Sequence, residues 1–76
     1  MTMTMEMKNR MIARIQEELA DHETYEMMAK DYDNPCKQML EDMAHEEKQH
    51  AHHLYDILKR HNMEVPMDLE NKITSM

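Results

Sequence analysis

Glu47-Lys48-Gln49-His50 places a carboxylate and an imidazole one helical turn apart, so that both point the same way and can reach one ligand. Cys36, Leu40, Met43, Glu47, His50, Leu54, Ile57 and His61 follow one another at spacings of four and three, which puts this pair in a row expected to be an apolar packing seam. Met11, Ile15, Glu18, His22, Tyr25, Ala29 and Tyr32 form a second row of the same kind, interrupted near its middle by Glu18. A buried carboxylate is costly unless a cation or strong hydrogen bonds compensate it. Two such interruptions at similar depth share one simple explanation, a metal ion held by Glu18, Glu47 and His50. The structural alternatives are an arginine pairing with Glu18 as a buried specificity device, and Glu47 and His50 satisfying each other.

The elements that must position these residues follow from composition and punctuation. The chain has 76 residues, no Gly, Trp or Phe and only two Pro, and is rich in Glu, Lys, Met, Leu and Ala, so the expected class is all-α. Helix 1 is expected over about 6–32, stopped by Asp31-Tyr32-Asp33-Asn34-Pro35. Asn34 and Pro35 suit the start of helix 2, which runs to about 61 with Asn62 as a left-handed cap; the tail, 62–76, holds a final helical turn or two from Met67 to Ile73. The short connection makes the two long helices antiparallel neighbours, and Glu18 lies about as far from the turn as Glu47 and His50 do. One hairpin leaves its seams facing water, so the expected unit of this single domain, 1–76, is a two-fold dimer forming a four-helix bundle.

Charge and cysteine usage narrow the classes of partner. A net charge of -7 disfavours nucleic acid and anionic membrane while concentrating divalent cations. Cys36, the one cysteine, allows no internal disulfide and is expected as a small buried residue in a reducing compartment. Met1 to Ile15 is cut by Glu6, Lys8, Asn9, Arg10 and Arg14, with no apolar leader region or bilayer-spanning stretch, so the expected location is the cytoplasm.

Glu18 followed seven residues later by Tyr25, then a short loop and Glu47-x-x-His50-Ala51-x-x-Leu54, resembles the ferritin-like superfamily over roughly Glu17 to Leu58, in particular rubrerythrins and the short encapsulated ferritins built from one helical hairpin. The resemblance implies a di-iron centre at the dimer interface, with Glu47 of each subunit bridging both irons and Glu18 and His50 as terminal ligands. It implies a ferroxidase that oxidises Fe(II) to Fe(III) with oxygen or peroxide, for iron storage or detoxification. Tyr25 is a candidate hydrogen-bond partner or redox relay beside the ligands, and His22 a second neighbour expected to hydrogen-bond within the bundle. Glu17 and Asp21 flank Glu18 as candidates for guiding Fe(II) inward, whereas His45, His52, His53 and His61 look like surface or seam-edge residues. Long rubrerythrins carry four helices and often a cysteine-rich module, which this sequence lacks, so iron oxidation fits it better than a peroxidase cycle. The ending Leu69 to Met76 has no glycine-containing cargo tail, and an encapsulin shell or a ring of dimers stays open as a further level of assembly.

A rival function comes from the twelve methionines. Met1, Met3, Met5 and Met7 alternate with Thr and Glu, and thioethers with nearby His suit Cu(I), although Met7, Met11, Met28, Met39 and Met43 fall where helices need apolar packing. The rest of that N-terminal row is expected to fray. A purely structural dimerising hairpin is the third reading.

Overall fold

A computed structural model describes residues 2–76. Three helices, α1 (Met5–Ala29), α2 (Cys36–Arg60) and α3 (Met67–Thr74), account for the fold, with no strand among the described residues. The expected all-α hairpin with a short C-terminal helix is therefore the observed architecture.

Each helix begins and ends for a local reason. Thr4 Oγ1 accepts from the Met7 amide at 3.1 Å, so α1 starts on a side-chain cap within the row expected to fray. Its end comes three residues before Tyr32: the amides of Lys30, Asp31 and Tyr32 bond to carbonyls three residues back, tightening the last turn, and Tyr32 is half exposed beyond it. Asn34 Oδ1 accepts from the Gln38 amide at 3.1 Å and so caps α2 from one residue further out than the cap position, which Pro35 takes. Lys59 and Arg60 sit at the carbonyl end of α2, where positive charge is favourable, and Asn62 takes the left-handed conformation with φ 55°.

The packing seam differs from the one that spacing suggests. On α2 the buried residues are Ala44, Ala51 and Leu58, a seven-residue repeat one position along from Met43, His50 and Ile57. Two alanines let α1 approach closely, so the larger side chains of the expected row are displaced to the flank: Met43 and Ile57 are partly exposed, and Cys36 and His61 are exposed rather than buried. On α1 the buried set is Ile15, Glu18, Leu19 and Ala29, so Leu19 joins the seam in place of His22 and Tyr25, which are half-buried.

The core gathers at the open end of the hairpin, where Met3, Ile15, Leu19, Ala51 and Leu58 meet Leu69 and Ile73 of α3. Tyr55 Oη donates to Glu70 at 2.6 Å and Lys72 reaches Glu23 at 2.9 Å, fixing α3 across one side of the hairpin. That side of α1 also carries Gln16 and Leu19, which share a cavity of about 190 Å³ with Asp68, Leu69 and Lys72. Glu18, Glu47 and His50 lie apart from the residues that α3 touches.

Candidate metal centre

Glu18, Glu47 and His50 come together from the middle of α1 and the middle of α2. One ligand atom from each lies within 4.8 Å of the others, the one such His/Cys/Asp/Glu group of three or more among the described residues. His50 Nδ1 is 3.4 Å from Glu18 Oε2 and 3.9 Å from Glu47 Oε1. Two donors on one ion, each bonded at up to about 2.2 Å, are at most about 4.4 Å apart, so both separations suit a shared cation. The second exceeds hydrogen-bonding distance, so Glu47 and His50 do not satisfy each other as the structural reading requires.

Burial grades across the three groups. The Glu18 side chain is 3% exposed, that of Glu47 21% and that of His50 55%, so the site opens from a buried floor toward solvent. Arg14, one turn before Glu18, reaches in from solvent and places Nη2 2.8 Å from Glu18 Oε1. The arginine partner of the alternative reading is thus present, but it covers one oxygen only. Glu18 Oε2 is buried and, with Glu47 ionised, accepts no hydrogen bond. An orphaned carboxylate oxygen aimed at a second carboxylate and an imidazole is a donor set that a divalent cation completes, and oxygen with imidazole nitrogen suits Fe(II).

The two carboxyls are shifted in opposite senses. A shared hydrogen bond with Glu18 holds the Glu47 carboxyl above the ordinary carboxylate range, and burial, the Glu18 charge and Asp21 push the same way. That bond holds Glu18 below the range, helped by Arg14 and His50 against the effect of burial. Glu18 is therefore the first of the pair to ionise and Glu47 the second, the order expected where one of two like charges in a site is also held by an arginine.

The remaining candidates are placed as follows. Tyr25 is half-buried two turns along α1 from Glu18. His22 spans the hairpin: its Nδ1 donates to the Ala44 carbonyl at 2.7 Å, and Nε2 lies 2.8 Å from Glu26, so it hydrogen-bonds within the hairpin. Glu17 is exposed and paired with Arg14 at 2.9 Å, whereas Asp21 is exposed and close enough to raise Glu47. His45, His53 and His61 are exposed, and His52 is half-buried with Nε2 unpartnered. Met3 is buried and Met7 and Met11 pack against the core, which accounts for them as packing, whereas Met5, Met28, Met39 and Met43 are exposed, contrary to the packing expected of the last three, and Met1 lies outside the described residues. Arg14 is the residue that sequence reasoning did not single out. Its place four residues before Glu18 was the available signal.

A family model described as Rubrerythrin matches residues 11–75, from the first turns of α1 through α3. The chain belongs to the rubrerythrin family. The match takes in Arg14, Glu18, Glu47 and His50 together with the short helix α3, which lies outside the stretch on which the resemblance rested. No curated protein and no solved structure matches the chain. Rubrerythrins are di-iron carboxylate proteins of the ferritin-like superfamily, and Glu18, Glu47 and His50 form a possible metal site of that chemistry. Among the described residues, no helix is long and apolar enough to cross a membrane.

Proposed function

We propose that this chain is a ferroxidase that binds Fe(II) at a di-iron site made between two copies and oxidises it to Fe(III) with oxygen or peroxide, for iron storage or detoxification. The observation that carries the reading is the buried Oε2 of Glu18, unpartnered once Glu47 is ionised, facing Glu47 and His50 in a rubrerythrin-family chain. One chain offers two carboxylates and one imidazole. A two-fold pair offers four and two, the ligand set of di-iron carboxylate bundles, in which two helices each give a Glu and the other two each give Glu-x-x-His.

The division of labour follows from burial and charge. The graded burial of the three groups supports Glu47, between buried floor and solvent, as the carboxylate that would be shared between the copies, with Glu18 from below and His50 from the rim as the ligands that would complete each half. Glu47, whose carboxyl holds its proton more tightly than usual, would have to be ionised to hold a cation, so binding would be favoured as pH rises. Bound side by side as substrate, two Fe(II) supply two electrons together, matching the demand of peroxide-level reduction. Asp21, exposed beside Glu47, is the acidic group best placed to draw Fe(II) to the site, since Glu17 is engaged by Arg14. The single exposed thiol of Cys36 suits a reducing, cytoplasmic setting, either free or within an encapsulin shell.

Fe(II) oxidation followed by the absorbance of the ferric product tests the assignment. Glu47→Ala is expected to abolish oxidation, whereas Glu18→Ala and His50→Ala leave weakened, partly filled sites. Wild-type rates in all three variants would remove these residues from the site.

A further inference from the structure

We propose that Arg14 is the positioning residue of this metal site: by engaging Oε1 of Glu18 it fixes the buried carboxylate so that Oε2 alone is offered to the ion. The inference rests on the metal-site reading above and goes beyond it to a residue that ligates nothing.

The geometry is a division of one carboxylate into two jobs. Arg14 Nη2 holds Glu18 Oε1 at 2.8 Å, while Oε2, buried and without a donor once Glu47 is ionised as a ligand must be, faces His50 Nδ1 at 3.4 Å. A side chain 3% exposed has little water to supply the second oxygen's partner, so its orientation is set by the guanidinium. The guanidinium is itself steadied: its other terminal nitrogen, Nη1, bonds Glu17 Oε2 at 2.9 Å. Two separate nitrogens of one planar fork thus bind two successive glutamates, one exposed and one buried, which a lysine ammonium cannot do with fixed geometry. Ligating carboxylates are held by hydrogen bonds of this kind, and losing such a partner weakens metal binding by roughly 10–100-fold. Arg14 also balances the Glu18 charge before any cation arrives, so the site can wait in its binding geometry.

Co(II), a stable stand-in for Fe(II) whose visible absorption reports its coordination, provides the test on the full chain. Arg14→Gln should weaken Co(II) binding by roughly 10–100-fold and alter the Co(II) spectrum, because Glu18 is then free to offer both oxygens. Arg14→Lys keeps the charge and loses the fork, and should fall between variant and wild type. Co(II) affinity and spectrum equal to wild type in Arg14→Gln, or tighter binding, would overturn the proposal by making Arg14 a surface ion pair or a competitor of the metal. Should Arg14→Gln not fold, Arg14→Lys decides: weakened binding with a changed spectrum supports the role, and wild-type behaviour overturns it. Glu47→Ala separates the two levels of inference. If wild type binds no Co(II), or Glu47→Ala binds it equally well, the metal site itself is lost, whereas failure at Arg14 alone leaves that site standing.

Discussion

Glu18 and Glu47 respond to their surroundings in opposite senses, and this gives the metal-free protein a stability window. Glu18 is held below the ordinary carboxylate range, so its contribution is present above that range and is lost as pH falls through its lowered value. Glu47 is held above the range, so its contribution is complete at and below ordinary carboxylate values and is lost as pH rises through its raised value. Metal-free protein should therefore be most stable between the two, with one carboxyl ionised and the other protonated. Thermal midpoints measured against pH with a chelator present should pass through a maximum there. Glu47→Gln, which imitates the protonated group, should flatten the high-pH side and leave the acid side in place. A high-pH decline as steep in Glu47→Gln as in wild type would show that the carboxyl pair is not its cause. The metal reverses the preference, because every ligand must be deprotonated to bind it, so binding should release protons near the raised value of Glu47.

The helices owe their limits to single residues, and the first of these is testable in isolation. Thr4 caps α1 through its hydroxyl, and Thr4→Ala should cost about 1 kcal/mol, or about 4–8 °C in thermal midpoint for a domain of this size. The substitution is remote from Glu18, so Co(II) affinity measured well below the midpoint should be unchanged; a frayed N-terminus would give no thermal shift at all. At this scale the sequence was largely legible: two long helices, an antiparallel turn at Asn34-Pro35 and the left-handed Asn62 all follow from punctuation that acts locally. The seam was legible only to within one position. Period marks a stripe, but whether Met43 or Ala44 faces the partner helix depends on how closely the backbones approach, and small residues carry no signal in a hydrophobic count. The grouping of Glu18, Glu47 and His50 survived that slip, since a carboxylate at the edge of a seam reaches the same point as one in it. Arg14 was out of view because an exposed arginine on a helix is ordinarily solvated, and only the three-dimensional burial of Glu18 gives it a task.

The molecule extends 46 × 23 × 16 Å, and α3 lies beside Gln16, Leu19 and Glu23 of α1 rather than over the ligands. Met43, His50 and Ile57 lie on the stripe of α2 that carries Glu47, and all three are substantially exposed, as is Met28 of α1. Exposed methionines and an isoleucine around half a ligand set make a face that a two-fold copy would bury while completing the site. On the proposed two-copy site, dimerisation and metal binding should be linked: ligands from both copies hold the metal more tightly than the three of one hairpin, so metal shifts the equilibrium toward the dimer by mass action. Sedimentation under anaerobic conditions should show Fe(II) moving the protein from smaller to larger species, the shift vanishing in Glu47→Ala. Ile57→Asp, which places a charge on that face away from the ligands, should weaken both the association and the affinity for Fe(II) although no ligand is altered. A monomer that binds Fe(II) stoichiometrically, or an Ile57→Asp variant that binds it as tightly as wild type, would show that one hairpin holds the metal unaided.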